Sequence, residues 1–395
     1  MPPSYAADPN RRRIHVPPPL PPAPATDEAA PGGIEKHRFP CPACGSDMRF
    51  RPGGMELLCD HCGHEEAIEA PGGARLAEAL RELDFAEAAR GGLPEAQMET
   101  TRTVHCDSCG ANVELGEAGT ARECPFCGSP LVAGAAAHRH VRPSAVLPFK
   151  VTEEAARRHM TDWLGGLWFA PNGLRDYARK GRRMQGIYVP YWTFDAATAT
   201  RYSGQRGDDY WTTERRVRNG KTETVRVRKT RWRSVSGHVS RAFDDVLVVA
   251  SRSLPVEHTD ALEPWDLGAL RTYLPAYLAG FRAEGYSVPI EEGFGVAKGK
   301  METVIRGDIR SDIGGDHQRI SGLSTEHRQV TFKHILLPVW LAAYKFRGES
   351  FRFVVNGRTG EVKGERPWSK WKIAFAVLVA AILAGVFAYF YGTYG

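Results

Sequence analysis

Eight cysteines carry the most specific chemistry in this sequence, and all of them fall between residues 41 and 127. They form four Cys-x-x-Cys pairs: Cys41/Cys44, Cys59/Cys62, Cys106/Cys109 and Cys124/Cys127. Fourteen residues separate the two pairs in each half, and each cysteine of the first half recurs 65 residues later. Two thiolates at this spacing on a tight turn offer two corners of a tetrahedron, and a second turn supplies the other two. Glycine follows the second cysteine of each pair (Gly45, Gly63, Gly110, Gly128), where a reversing chain takes positive φ. The pattern predicts two zinc ribbons, each closing one Zn2+ within four sulfurs.

The competing chemistry is a disulfide framework, which belongs to secreted domains. The first residues, Met-Pro-Pro-Ser-Tyr, lack the apolar core of a secretion signal. Reduced, metal-binding thiols fit the cytosolic side of a membrane. His61 and His64 stand close enough to replace a cysteine, but four thiols already complete the first site. A site closed by four ligands has no open position for substrate, so these metals are expected to fold their modules and not to catalyse.

The elements that position the cysteines follow from composition. The chain has 395 residues, a hydrophobic fraction of 42% and a formal net charge of +6. That is enough for a packed core beside the ribbons, and it permits an anionic partner without requiring one. Residues 1–36, rich in proline and alanine with Arg11, Arg12 and Arg13, read as a disordered tail. Ribbon one covers 37–70, a helical linker 71–100 and ribbon two 101–133. In the linker, Leu76, Leu80 and Leu83 recur at helical spacing over Ala74–Arg90.

A β-rich α+β domain is expected over 134–366. Thr152 should cap a helix whose first turn carries Glu153 and Glu154 and whose Trp163, Leu164 and Leu167 face inward. A short helix over 174–180, a helical stretch over 265–279 broken at Pro275, and a helix over 289–310 are also expected. Strands are expected at 187–194, 246–250, 330–344 and 350–355, with Pro190 marking an edge or a bulge. Asn219-Gly220 between two polar arms suits a type I′ hairpin, with Val225 and Val227 on one face and Arg226 and Arg228 on the other. Ile187, Pro190 and Trp192 recur as Ile335, Pro338 and Trp340, 148 residues on. Three matches are compatible with chance or with a duplicated β-element that closes one sheet on another.

The last segment, 367–395, reads as a single membrane-spanning tail anchor. Ile373 to Tyr391 holds nineteen residues without a charge, and at ~1.5 Å per residue it spans about 28 Å. Trp368 and Trp371 flank one end; Tyr389, Tyr391 and Tyr394 flank the other. Lys363, Arg366, Lys370 and Lys372 precede it, and the last four residues carry no charged side chain. The positive-inside rule then places residues 1–372 in the cytoplasm of a bacterium, single-pass in the inner membrane. Ala381/Gly385 and Ala384/Ala388 make a small-residue stripe that permits helix pairing, although alanine-rich helices often show one by chance.

Two further constellations could do chemistry. Arg215, Arg216, Arg218, Lys221, Arg226, Arg228, Lys229, Arg231 and Arg233 face only Glu214 and Glu223, with Trp211 and Trp232 alongside. Such a hairpin could lie against anionic lipid headgroups, could be a solvated face whose charges resist edge-to-edge pairing, or could grip nucleic acid. Asp308, Asp312, Asp316 and His317 beside Gly314-Gly315 could bind a hard cation or do acid–base work, but a turn with capping aspartates explains the same residues. There is no P-loop, no Gly-x-Ser-x-Gly elbow and no His-Glu-x-x-His. The chain is therefore expected not to be an enzyme.

In addition to its cysteines, the chain carries Gly186-Ile-Tyr-Val-Pro-Tyr-Trp192, Phe243-Asp-Asp-Val-Leu-Val248, Asp312-Ile-Gly-Gly-Asp316, Leu336-Leu-Pro-Val-Trp340 and Val355-Asn-Gly-Arg-Thr-Gly-Glu-Val362. In this order, with the final helix, it resembles bacterial membrane-anchored double-zinc-ribbon proteins over about residues 37–391. Members are labelled as transcription-factor-IIB-type zinc ribbons or as primosomal protein N′ (replication factor Y) superfamily II helicases. The helicase label has no nucleotide-binding motif here to support it. The resemblance implies a membrane-bound platform that recruits cytosolic partners, because relatives neighbour SPFH-domain and phage-shock-protein-A-type proteins of membrane-stress responses. The alternative function is nucleic-acid binding at the membrane, related to replication or transcription, without a motor.

Overall fold

The computed structural model describes residues 39–69, 80–114, 124, 126, 129–131, 136–168, 184–218, 221–346, 349–365 and 369–394. The tail over 1–36, the helix expected over 174–180, the Asn219-Gly220 turn, Cys127 and Trp368 lie outside these residues.

Strands β1 (Arg49–Phe50), β2 (Glu56–Leu58) and β3 (Glu65–Ala67) form a small antiparallel sheet around the first cysteine pairs. Strand β4 (Leu83–Asp84) follows, then a one-turn helix, Phe85–Ala89. Residues 74–79 of the amphipathic helix expected over Ala74–Arg90 lie outside the described residues, and its second half is corrected to this strand and short helix. Glu82 binds Lys333 (Nζ–Oε1 2.9 Å) and Thr331, which holds Leu83 and Asp84 extended against Phe332 and Thr331. Strands β5 (Met98–His105), β6 (Asn112–Glu114) and β7 (Ala136–Val141) surround the second cysteine group. Residues 98–100, counted in the helical linker by the sequence pattern, thus belong to a strand.

The rest of the architecture is built on very long strands. β8 (Ala145–Val146) leads through Phe149 to the helix Glu153–Gly166, capped as expected by Thr152 Oγ1 accepting from the Ala155 amide at 3.2 Å. β9 (Gln185–Arg218) and β10 (Lys221–Val249) form one antiparallel hairpin of 34 and 29 residues. After β11 (Arg271–Thr272), β12 (Arg282–Gly285) and the helix Ile290–Ile313 come β13 (His317–Phe346), β14 (Glu349–Asn356) and β15 (Val362–Gly364). They join one 12-stranded mixed sheet with β9 and β13 as antiparallel central neighbours. Period-two burial explains why β9 persists: Ala196, Thr198, Thr200 and Tyr202 are buried, whereas Arg201 and Ser203 face solvent. The region 265–279 is not helical; two 3-10 turns flank β11, with Pro264, Gly268 and Pro275 breaking any longer helix.

Pro190 sits at neither an edge nor a bulge. On the side of β9 away from β13, β12 pairs at Ile187–Tyr188 and β10 takes over at Tyr191. Pro190, which has no N–H to donate, falls where the partner changes. Pro338 does the same in β13, between β8 at Ile335–Leu336 and β14 at Val339. The 148-residue echo is therefore a structural repeat. Val189 lies opposite Leu337, and a local two-fold through that pair exchanges Ile187 with Ile335, Pro190 with Pro338 and Trp192 with Trp340.

The exchange extends to hydrogen bonds. Trp192 Nε1 donates to the Val288 carbonyl (3.0 Å) and Trp340 Nε1 to the Val151 carbonyl (2.8 Å), each acceptor lying two residues before a helix. Tyr286 packs on Trp192 (4.8 Å) and Phe149 on Trp340 (5.0 Å), each two residues before that acceptor. The Ala250 and Gly357 amides donate to the Pro190 and Pro338 carbonyls at 2.9 and 2.8 Å, and their own carbonyls accept from Val288 and Val151. The duplicated element lies side by side in one sheet, which corrects the expectation that it closes one sheet on another.

Helix Ile290–Ile313 lays Phe294, Ala297, Met301, Ile305 and Ile309 over Trp192, Phe194 and Phe332. Gly293 permits this approach: a Cβ there would come within 2.8 Å of the Trp192 ring.

Candidate functional site: two cysteine clusters in the core

The first cluster is complete. The sulfurs of Cys41, Cys44, Cys59 and Cys62 lie within 4.8 Å of one another, with Cys41–Cys62 and Cys44–Cys59 each 3.5 Å apart. A disulfide would need ~2.05 Å. Four sulfurs ~2.3 Å from one zinc ion stand about 3.8 Å apart, so the spacing fits tetrahedral coordination. The turns explain it: the Gly45 and Gly63 amides donate to the Cys41 and Cys59 carbonyls at 2.8 and 2.9 Å, with φ of +77° and +75°. The Ser46 backbone amide, helped by its side chain, holds the Cys44 thiol down at about 6, toward the thiolate a metal requires.

The second cluster repeats this design. Gly110 has φ +76° and its amide donates to the Cys106 carbonyl at 2.7 Å. Cys106, Cys109 and Cys124 bring their sulfurs together, Cys109 and Cys124 at 3.6 Å. The fourth ligand expected from sequence, Cys127, lies outside the described residues. The neighbouring Cys124 sulfur, with burial, drives the Cys109 thiol far up. Crowded sulfurs resist joint ionisation unless a cation neutralises them. Both clusters are compatible with zinc: its ligands would be these cysteines, and its contribution the cross-linking of two turns.

Both clusters share the core of the large sheet. Cys41, Phe50 and Cys59 belong to one apolar cluster with Tyr188, Trp340 and Phe353. Cys106, Val113, Cys124 and Phe126 belong to another with Ile187, Val189 and Leu337. Each cysteine-bearing segment also touches one aromatic residue of the duplicated unit. The Gly53 amide donates to the Phe149 carbonyl (2.9 Å), and Asn112 Nδ2 donates to the Tyr286 carbonyl (3.4 Å). A metal closing either cluster would brace the segment that buttresses Trp340 or Trp192.

The Asp308–His317 group is not gathered into a site. Asp308 binds Arg241 through both oxygens (2.7 and 2.6 Å), Asp312 accepts from the Tyr202 hydroxyl (2.5 Å), and Asp316 accepts from the Asp209 amide (2.8 Å). His317 Nε2 lies 3.1 Å from Asp209. These contacts fasten the end of the Ile290–Ile313 helix to the long strands.

Two polar clusters have no counterpart in the sequence reading. Glu82, Asp195, Asp244 and Asp245 converge near Lys333, whose ammonium lies 2.9 Å from Glu82 and 2.8 Å from Asp245, supplying the positive charge there. Burial, with Glu82 alongside, pushes Asp195 up to about 7. Asp245 has φ +52° at a bulge in β10, and its amide donates to Asp195 Oδ1 at 2.7 Å, which accounts for the Asp-Asp of the 243–248 motif. Glu284 is buried and accepts from Ser251 (2.7 Å) and Ser253 (3.0 Å). Both sets come from residues far apart in sequence, so no local spacing announces them.

The basic hairpin residues lie on the distal part of β9–β10. The register places Trp211, Thr213 and Arg215 beside Arg228, Arg226 and Thr224 on one face, and Glu214 and Arg216 beside Val225 and Glu223 on the other. Lys229 Nζ is 2.7 Å from Glu214, Arg231 lies over the Tyr210 ring (5.1 Å), and Arg233 is 3.9 Å from Asp208. Arg218 and Lys221 form the last rung.

The helix Lys370–Tyr394 includes a 22-residue span, Lys370–Tyr391, whose most apolar 18-residue window has mean hydropathy 2.6 and is not buried. It is long and apolar enough to cross a membrane.

This chain is 27% identical over 344 residues to an uncharacterized protein, YdjG, of Bacillus subtilis (strain 168), covering 85% of this chain and 92% of that protein. No family model matches it, and no solved structure does.

Proposed function

We propose that this protein is a membrane-anchored zinc-ribbon scaffold that recruits cytosolic partner proteins to the inner membrane. The observation that carries the reading is the closed cysteine cluster. Four sulfurs within 4.8 Å of one another are spaced to fill all four positions of a tetrahedral zinc, which would leave none for substrate and make the metal's work structural. Two Zn2+ per chain are expected, the second held by Cys106, Cys109, Cys124 and Cys127. The apolar helix supplies the membrane attachment, and the cations before it (Lys363, Arg366, Lys370, Lys372) put the ribbons on the cytoplasmic side. The resemblance to double-zinc-ribbon proteins points to SPFH-type or phage-shock-protein-A-type partners in membrane stress.

Crosslinking in living cells through the full chain, followed by mass spectrometry, tests the reading. Cytosolic proteins should be captured by the wild type and lost when Cys41→Ser/Cys59→Ser opens the first site. Capture of lipid alone from a zinc-loaded, membrane-resident chain would refute recruitment. A chain truncated after Gly364 should leave the membrane fraction; continued full sedimentation with vesicles would refute the anchor.

A further inference from the structure

The hairpin outruns its sheet. β13 first pairs with β9 at His317–Gly207, and beyond that rung β9 and β10 continue alone to Arg218–Lys221. Eleven residues at ~3.3 Å each make a two-stranded arm about 36 Å long. The arm, residues 208–231, contains eight Arg or Lys against four carboxylates, an excess of four positive charges in a chain whose formal net charge is +6. A few charges suffice to protect a sheet edge; beyond Asp208 and Asp209 at its root, the arm carries eight cations and two glutamates.

The charge is distributed round the arm. One face carries Trp211, Arg215, Arg226 and Arg228, with no carboxylate beyond Asp209 at its root. Trp211 is 60% exposed, Arg226 lies over its ring at 5.2 Å, and Val217 further out is 75% exposed. The other face carries Arg216, Lys229 and Arg231, partly offset by Glu214 and Glu223.

We propose that this arm binds nucleic acid, with the Trp211–Arg215–Arg226–Arg228 face against the phosphate backbone. Three observations favour this over an anionic bilayer. First, cations occupy both faces of a ribbon that twists more strongly than a wide sheet, so they point in several directions. A flat lipid surface meets one of those directions, whereas a duplex groove admits a two-stranded ribbon and flanks it with phosphates. Second, six of the eight cations are arginine, whose planar fork pairs phosphate oxygens two at a time. Third, the arm lies at the opposite end of β9 from the strand that leads into the apolar helix. The apolar helix follows β15, which pairs with β14 near the Leu341–Gln185 end of the sheet. From Gln185 to Arg218 the strand runs about 110 Å. This inference goes beyond the scaffold reading and does not depend on it.

The test is fluorescence anisotropy of a labelled 20-base-pair DNA duplex and a labelled 20-nucleotide RNA, titrated with the full chain in phosphatidylcholine nanodiscs at ~50 and ~200 mM salt. Binding should weaken by at least tenfold across that range. Arg215→Ala/Arg226→Ala/Arg228→Ala should weaken it at least tenfold at low salt and reduce the slope of log affinity against log salt by about 2 to 3. Trp211→Ala should cost at least about fivefold through the loss of stacking on a base. Unchanged zinc content and melting temperature in the variants confirm that they fold. No binding to either nucleic acid at low salt, or binding by the triple variant equal to wild type, overturns the proposal. Arm-dependent attachment to phosphatidylserine nanodiscs without nucleic-acid binding also overturns it and assigns the arm to lipid.

Discussion

The two ends of strand β9 obey the same backbone rules and live in opposite surroundings. Between Ile187 and Phe194 every side chain is buried, partners lie on both sides, and the indole of each central strand makes a hydrogen bond that the local two-fold exchanges with the other. Between Tyr210 and Val217 there is one partner strand, both faces meet solvent, and five of the eight residues are charged or aromatic. Strand geometry is thus set by pairing, and what differs along β9 is what each face can exchange with its surroundings. At the base the side chains stabilise; on the arm they are free to bind. The cysteine clusters fall on the stabilising side, because Cys41, Cys59, Cys106 and Cys124 share the apolar clusters of the base, while Cys44 and Cys62 close the first cluster from the surface.

The sharpest way to break this contrast is to remove the metals. Structural zinc contributes ~10–16 kcal/mol in small modules, comparable to or larger than the ~5–15 kcal/mol that holds a domain folded. Chelation should abolish cooperative unfolding of the base, read by circular dichroism and differential scanning calorimetry. Arm variants measured alongside should keep their transition.

Next in size are the two indoles. Trp192→Ala and Trp340→Ala should each destabilise by about 3–5 kcal/mol, and by similar amounts, since the local two-fold gives them equivalent surroundings. Trp192→Phe keeps the ring but leaves the Val288 carbonyl without its indole donor, at a cost of about 1–3 kcal/mol by denaturant titration. Clearly unequal values for the two alanine variants would undo the equivalence.

A smaller effect depends on pH. His334 is buried against Trp192 and Tyr286, its Nδ1 lies 2.7 Å from the Val141 carbonyl, and burial, with His140 nearby, lowers it to about 3. An unfolded histidine titrates near ~6.5, so below that pH the unfolded chain takes up a proton that the folded chain refuses. Stability should fall as pH drops from ~6.5 toward 3, by about 2 kcal/mol at pH 5 from this residue. Asp195 acts in the opposite sense. Its pKa is raised to about 7, so its contribution is present below the ordinary carboxylate range and is lost as pH rises through 7. His334→Gln should flatten the acid limb and Asp195→Asn the neutral one, as chemical denaturation at stepped pH would show. The smallest expected change is on the arm: Arg215→Ala and Arg226→Ala should shift stability by no more than about 0.5 kcal/mol.

Local signals made much of this legible in the sequence. The Cys-x-x-Cys turns, the Thr152 cap, the hairpin centred on 219–220, the helix from Ile290 and the apolar helix each depend on residues within one or two turns of one another. The long-range features were not readable that way. The echo of Ile187, Pro190 and Trp192 was visible, but its meaning required the register that sets Val189 against Leu337. Leucine spacing suggested that a helix continues through Leu83, and there the salt link from Glu82 to Lys333, across 251 residues, holds the chain extended instead. The length of β9 was also hidden: Ala, Thr and Gly between 196 and 207 look like loop composition until Tyr202, buried and bonded to Asp312, shows which face is covered. Asp308, Asp312 and Asp316 looked like a cluster in sequence, and tertiary contacts send each to a different partner.

The most direct test of the structural-metal account is zinc X-ray absorption on the full chain purified from membranes. The account predicts two zinc ions per chain, each with four sulfur neighbours at about 2.3 Å. An oxygen or nitrogen atom in the shell, marking an open site, or metal-free protein with its cysteines joined as disulfides, would contradict it.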